Sequence, residues 1–426
     1  LLTGIITIFG ALSYGELAGM MPRAGGQFVY IQRAWGDLTA FLYGWSVFTV
    51  IQTGVIAAIA VAFANYTGVF FPALKNICCS IGTFQVTWAQ IVAIDLILFL
   101  TWVNAQGVQY GKIIQLIFTL AKIIALLGLI IIGLWIGLQK NTLFENFASG
   151  WSAVRTRITE GGGFTTEIIT GWALILALGS AIVNPLFSSD TWNNVTFIAG
   201  EMKDPSRNIP RSLLLGTLIV TTLYILSNLA YFSLLPINGA PNGWDAATRG
   251  IQFAQNNRVG AAAAEVMFGD GGTYLMAALI MVSTFGCASG SILSGARIYY
   301  TMAHEGLFFR QAGQLNRNSV PSFALWAQAF WASVLCLSGT YNDLLDYLTF
   351  VSLMFYAVTV AGVYRLRKTA PAANRPYRVA SILPIVYIVL ASFISLVLLV
   401  EKTKNTGLGL LIVLLGVPFY FIAKKK

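Results

Sequence analysis

Charge is what this chain of 426 residues has least of: Lys, Arg, Asp and Glu together make up 10% of it, and histidine occurs once. A soluble protein carries roughly a quarter of its residues as charges, so a soluble fold is excluded. Cysteine is equally sparse. Cys78, Cys79, Cys287 and Cys336 show no metal-ligand spacing, and a disulfide framework finds no support in them. Cys287 and Cys336 lie in apolar runs and read as buried small residues, whereas Cys78 and Cys79 read as loop. There is no nucleotide-binding motif, no paired-carboxylate or metal cluster and no nucleophile–base arrangement. Neither an ATP-driven pump nor an enzyme is indicated, and no cofactor is expected. The chain opens Leu-Leu-Thr-Gly-Ile, without a methionine or a basic n-region, so no cleavable signal peptide is visible. It reads as a membrane protein entered partway.

What is abundant is apolar surface: 57% of the residues are hydrophobic and 13% aromatic. Runs of ~20 apolar residues, enough to cross ~30 Å of hydrocarbon as a helix, recur along the whole length. Eleven spanning segments are read, at about 1–20, 38–71, 87–105, 112–138, 168–202, 210–235, 272–303, 322–339, 343–366, 379–400 and 406–423. The fold class is therefore all-α integral membrane, in one transmembrane domain over residues 1–426. The second and fifth segments exceed a simple span, which points to tilt or interruption. Two long loops, 139–167 and 236–271, fall on one side, and the second has the spacing of short surface helices. Sixteen Lys and Arg residues fall on the other side, the C-terminal Lys424, Lys425 and Lys426 among them, against eight on the side of the long loops. The richer side is read as cytoplasmic, with the protein in the cell membrane and the lipid bilayer as its first partner. The net charge of +10 thus reports orientation, and no nucleic acid is expected.

The most informative stretch is 184–211. An apolar run, 168–183, leads into Asn184-Pro185, where a helix loses a backbone donor and meets a ring clash. Ser188, Ser189, Asp190 and Thr191 follow, all poor helix formers, before apolar residues resume at Trp192. This reads as two half-helices joined by an unwound polar patch at membrane depth, and such breaks mark substrate sites in secondary transporters. A Pro-kinked structural helix is the plainer alternative. Against it, a carboxylate, three hydroxyls and an aromatic crowd one turn.

Ser13-Tyr14-Gly15-Glu16-Leu17, then Met21-Pro22-Arg23-Ala24-Gly25-Gly26-Gln27-Phe28-Val29-Tyr30, resemble the amino-acid/polyamine/organocation permease superfamily. Its members carry a Tyr-x-Glu-Leu helix end followed by Pro-(basic)-x-Gly-Gly. Glu201-Met202-Lys203-Asp204-Pro205 with Ile209-Pro210-Arg211 is similar to the loop after the family's sixth helix, and Phe285-Gly286 through Glu305-Gly306 to its eighth helix and following loop. Ala121-Lys122-Ile123-Ile124-Ala125-Leu126 matches the fifth helix of the L-type amino-acid transporter branch and its bacterial exchangers. The resemblance spans nearly the whole chain. It implies the five-plus-five inverted repeat of the bacterial leucine transporter, with the family's first helix missing here, residues 1–378 forming the core helices and 379–426 two peripheral ones. The first-helix glycine motif that cradles the substrate carboxylate is absent from this sequence. Ser188-Ser189-Asp190-Thr191-Trp192 replaces a more usual small-Tyr-(Gly/Asp)-Gly-Trp. Gln27 stands where an acidic residue is frequent, in what reads as a loop.

The candidate substrate-binding residues are Phe187, Ser188, Ser189, Asp190, Thr191, Trp192, Asn193, Ser283 and Gly286, with Lys122 as a coupling or structural cation. Asp190 can meet a substrate ammonium, pair with a cation, or cap the second half-helix. Phe187 resembles the family's outer lid, and its alternative is packing. Small residues such as Ser283, Gly286, Ser289 and Ser291 serve equally as helix contacts, and Gln52 and Thr53 are lesser candidates of the same kind. Lys122 is the basic residue deep in the run 113–138, where a charge makes function the default reading and snorkelling the alternative. The resemblance puts it at the place of sodium in sodium-coupled relatives. His304 reads as a helix-end cap, and Glu16 as a neighbour of Arg23. Asp190 is taken as the one acid within the membrane. The function implied is secondary transport of neutral L-amino acids by sodium-independent exchange, with proton symport as the alternative and amino-acid sensing a remote one. No obligatory partner subunit is expected. A channel would need a continuous polar pore stripe, and the segments lack one.

Overall fold

The structure, a computed structural model, describes residues 1–81, 84–149, 152–158, 164–338 and 341–424. Lys425 and Lys426, counted above towards the basic side, lie outside the described residues. Ten of the described helices are long and apolar enough to cross a membrane, and one further helix of 17 residues falls on the segment expected at 322–339. In chain order they are α1 (Leu2–Met20), α2 (Asp37–Phe70), α3 (Trp88–Ala105), α4 (Val108–Gly137), α5 (Gly171–Ser188), α6 (Pro205–Leu234), α7 (Asp270–His304), α8 (Ser322–Ser338), α9 (Tyr341–Thr369), α10 (Ile382–Glu401) and α11 (Thr403–Lys424). The protein is an all-α, multi-pass membrane protein. The only strands among the described residues form two antiparallel hairpins, Ile77–Ile81 with Phe84–Thr87 and Val154–Ile158 with Phe164–Ile168. The second hairpin occupies the loop 139–167 together with a helix, Thr142–Ser149. The loop 236–271 carries the surface helices Ala246–Arg249 and Val259–Phe268, as its spacing indicates.

Local chemistry sets the element ends. Thr87 and Gln90 form a capping box that starts α3. Asp204, in the left-handed region at φ 45°, turns the chain so that Pro205 enters the first position of α6, where its missing N–H costs nothing. The excess length of α2 is taken up by a π-helical turn, Val47–Ile51, in which the Thr53 hydroxyl donates to the Phe48 carbonyl five residues back. Helices five spans apart pack together: α1 on α6, α2 on α7 and α3 on α8. That pairing is the one two inverted five-helix halves produce about an axis in the membrane plane.

Three readings change. Glu16 is buried and pairs with Arg367, whose Nε donates to its Oε1 at 2.9 Å, and with Arg375 at 3.5 Å, rather than with Arg23. The Val379 N–H also donates to it, at 2.9 Å, so one carboxylate ties α1 to the end of α9 and the loop before α10. Cys336 is buried but Cys287 is exposed, because Ala288 and Ser289 take the inward face of α7 at that turn. Asp190 is also joined by a second intramembrane acid, Asp95, on the outward face of α3.

Candidate functional site

Pro185 does not end its helix. Without an N–H it leaves the Ala181 carbonyl without its usual donor, and the helix loosens to a turn at Ile182 before continuing through Val183–Ser188. The break comes later, at Ser189, Asp190 and Thr191. Ser189 N–H still reaches the Pro185 carbonyl at 3.1 Å and Asp190 N–H the Phe187 carbonyl at 3.0 Å, but Thr191 sits at φ 63°, ψ 3°. This left-handed conformation is uncommon for a β-branched residue, and it redirects the chain. Beyond it the backbone runs as 3₁₀ turns, Trp192–Thr196 and Ala199–Glu201, instead of an α-helix. Within the first, the Thr196 hydroxyl competes for the Asn193 carbonyl at 2.7 Å.

The Gly25–Gly26 motif presses on this break from the other side. Gly25 N–H donates to the Phe197 carbonyl at 3.2 Å. Gly26, at φ 42°, has no room for a Cβ against the Thr196 hydroxyl. Only glycine satisfies both demands. Gln27 follows directly, and it belongs to a helix, Gln27–Trp35, where it is buried. Its Oε1 accepts from Asn193 Nδ2 at 2.9 Å and from the Tyr43 hydroxyl at 3.0 Å, and its Nε2 donates to Thr359 Oγ1 at 3.0 Å. Far from being an incidental loop residue, Gln27 joins the break to α2 and α9.

Two cavities meet at Asp190. One is walled by Ile6 and Thr7 of α1, Phe187, Trp192, Thr349, Leu353 and Tyr387. The other is walled by Gln27, Tyr43, Gln52, Thr191, Asn193 and Asn194. Asp190, Ser352 and Tyr356 line both. The Tyr356 hydroxyl donates to Asp190 Oδ1 at 2.6 Å and lies 3.2 Å from Asn193 Oδ1. Trp192 packs edge-on to Tyr14, ring centroids 4.8 Å apart, and 5.6 Å from Tyr356. Beside them the hydroxyls of Thr349 and Ser352 are buried with no hydrogen-bond partner among the described residues. Buried hydroxyls are normally paired, so two unpaired ones lining a cavity are ready donors and acceptors for something that enters it.

The candidates separate accordingly. Phe187, Asp190, Thr191, Trp192 and Asn193 line the cavities. Ser188 turns its hydroxyl back to the Pro185 carbonyl at 2.9 Å, and its own carbonyl accepts from Tyr224 at 2.7 Å. Ser189 is half-buried at the turn itself and Ser283 lies on α7, and neither is among the wall residues. Gly286 faces α4, where an added Cβ would stand 2.6 Å from that of Phe118, so it serves helix approach. Lys122 points at Cys287, Nζ to Sγ 3.6 Å, and makes no ion pair among the described residues. The residue at the head of the 3₁₀ turn is Thr191, and its side chain makes no cap. Tyr356, Thr349 and Ser352 are missed from sequence. The signal for them is faint: three polar groups at i, i+3 and i+7 of a helix, all on one face.

The family model described as "Amino acid permease" matches residues 1–418. Among curated proteins, the chain is 28% identical to b(0,+)-type amino acid transporter 1 of Mus musculus, over 98% of this chain and 78% of the relative. It is 28% identical to Asc-type amino acid transporter 1 of Mus musculus, over 99% and 73%, and to Large neutral amino acids transporter small subunit 2 of Mus musculus, again over 99% and 73%. The last name overturns the expectation of a carrier without an obligatory partner subunit, since a relative covered along nearly the whole of this chain is itself named a small subunit.

Proposed function

This chain belongs to the amino acid permease family, whose members are amino acid transporters, and on that premise we propose that it exchanges neutral L-amino acids across the cell membrane by alternating access, without sodium. The observation that carries the reading is the unwound turn at Ser189–Thr191, which sets Asp190 where two cavities meet. A zwitterion suits such a break. The first N–H groups of a helical turn have no partner within the turn and favour a carboxylate. At the other half-helix end, the Pro185, Phe187 and Ser188 carbonyls already accept protein hydrogen bonds, which leaves Asp190 as the natural partner of the ammonium. The substrate side chain then lies against Phe187, Trp192, Thr349 and Ser352. Phe187 and Trp192 close over it, while Ser188, Ser189 and Asn193 hold the turn in shape.

Sodium independence rests on Lys122. An ammonium fixed within the spans and paired with no carboxylate among the described residues supplies the charge that a bound cation would otherwise bring. The second reading is proton symport, in which a proton enters with the substrate. The excess of Lys and Arg on the side of the C-terminus supports a cytoplasmic C-terminus.

The test is uptake by the purified chain in proteoliposomes. We expect labelled neutral amino acid to enter vesicles preloaded with unlabelled amino acid and not empty ones, with no response to sodium. Entry into empty vesicles driven by an acid exterior selects symport. Transport of sugars or polyamines, with none of amino acids, overturns the substrate class.

A further inference from the structure

Among the described residues Asp190 is the single carboxylate in the walls of the two cavities, and no lysine, arginine or histidine lines either one. The Tyr356 hydroxyl donates to it at 2.6 Å, and it forms no ion pair among the described residues. The elements around the turn bring groups whose charge stays the same from acid to neutral pH. α1 brings Tyr14, α2 Tyr43, α6 Tyr224, α9 Tyr356 and α10 Tyr387, all phenols with an ordinary pKa of about 10. α7 brings Arg297, one turn past the Ser294 hydroxyl that Asn194 meets at 3.1 Å, and it lines neither cavity. Asp190 is thus the group of this site that a fall in pH can neutralise.

Asp190 is half-buried, and its exposed part faces the cavities, so water reaches it while either one is open. A carrier that changes sides passes through a state closed at both ends, where that water is shut out. An ionised carboxylate with no cation beside it then bears the cost of a charge taken out of water. A bound amino acid removes the cost, because its ammonium meets Asp190. We propose that Asp190 is what makes exchange obligatory: its bare charge holds the empty carrier on one side, and the carrier crosses empty only when a proton takes the place of the ammonium. This rests on the exchange reading above. On the empty return Asp190 takes a proton from water on the inner side, crosses as the neutral acid, and gives the proton to water on the outer side. One amino acid inward is then balanced by one proton outward, the reverse of symport.

The test is uptake of a labelled mixture of neutral L-amino acids by the full chain in vesicles, preloaded with the unlabelled mixture or empty, with the same pH on both sides. At neutral pH we expect wild type to take up at least ten-fold more when preloaded. An acid buffer on both sides should lower that ratio at least three-fold, and a pH dye trapped in the empty vesicles should report loss of protons as amino acid enters. Asp190→Asn leaves no charge to strand. It should fill preloaded and empty vesicles at nearly equal rates at either pH, with a raised KM because the ammonium has lost its partner. Asp190→Glu should keep both the high ratio and its fall in acid. A ratio in Asp190→Asn as high as in wild type overturns the proposal. So does a gain of protons inside the vesicles, or a wild-type ratio that acid leaves unchanged, and this last arm decides the matter if Asp190→Asn proves inert. Equal uptake by wild type into preloaded and empty vesicles at neutral pH instead overturns the exchange reading itself.

Discussion

Thr191 shows how one residue can carry both a local misfit and the geometry of a site. Its φ of 63° is a conformation that glycine enters freely and a β-branched residue does not. Backbone strain of this kind costs of order 1–3 kcal/mol and persists where the surroundings over-determine it. Here Gly25 and Gly26 press on the following turn, and Tyr356 grips Asp190 just before it. We therefore expect Thr191→Gly to stabilise the purified protein by about 1 kcal/mol, read as a raised unfolding midpoint in detergent. A lowered midpoint would falsify the strain. This misfit was visible in the sequence as a missing glycine before Trp192. Gln27 was not, because two glycines before it make a loop the natural reading, and only closure of the fold brings Asn193, Tyr43 and Thr359 to its amide. Thr349 and Ser352 stayed hidden for a related reason: an isolated hydroxyl on an apolar helix has the same sequence signature whether it meets a neighbouring helix or a cavity.

At the scale of elements, the sequence placed the eleven spans well, since a span is a matter of length and apolar content, both local properties. The break falls inside the polar patch expected for it, at Ser189–Thr191 and not at Pro185. Proline marks where a helix loses a donor, but the bundle held α5 together past Pro185, and the unwinding came at the cluster of poor helix formers behind it. Long-range pairing was the element-level fact that spacing does not contain. Glu16 was read beside Arg23, seven positions on, yet its partners are Arg367 and Arg375. Its side chain is 2% exposed, and one carboxylate there answers two guanidinium groups and the Val379 N–H. Removing one partner of a buried ion pair costs about 3–5 kcal/mol, chiefly through the charge left behind. Glu16→Gln should therefore destabilise the protein by about 3 kcal/mol in the same unfolding assay. Arg23→Gln, at an exposed site, should stay within about 0.5 kcal/mol. Equal effects from the two substitutions would return Glu16 to the loop-organising role first read for it.

Over the whole molecule, α1 packs on α6, α2 on α7 and α3 on α8, so the two halves of the bundle are interleaved, and the alternating access proposed for them would require them to separate on one side at a time. Lys122 sits between two of the parts involved, on α4 with its ammonium at Cys287 of α7. An unpaired charge at that depth costs ~2.5–3.5 kcal/mol on insertion scales, a steep cost to carry without a use. If its use is to substitute for a bound cation, then Lys122→Ala leaves an apolar gap where charge is needed, and transport should fall at least ten-fold while the protein still inserts and unfolds cooperatively. The same substitution removes the ammonium that stands 3.6 Å from the exposed Cys287 thiol, so thiol labelling of Cys287 should quicken as transport falls, and the two readouts together separate a lost cation from a misfolded chain. Exchange and symport diverge next. In an exchanger the empty carrier reorients poorly, so wild-type uptake needs amino acid inside, and a pH gradient does little. In a symporter a proton travels with the substrate, and an acid exterior fills empty vesicles. Sodium-stimulated uptake by the unaltered chain would remove the basis of both, because a fixed ammonium and a bound sodium cannot share one small site at the repulsion two like charges feel a few ångström apart in a poorly screened medium.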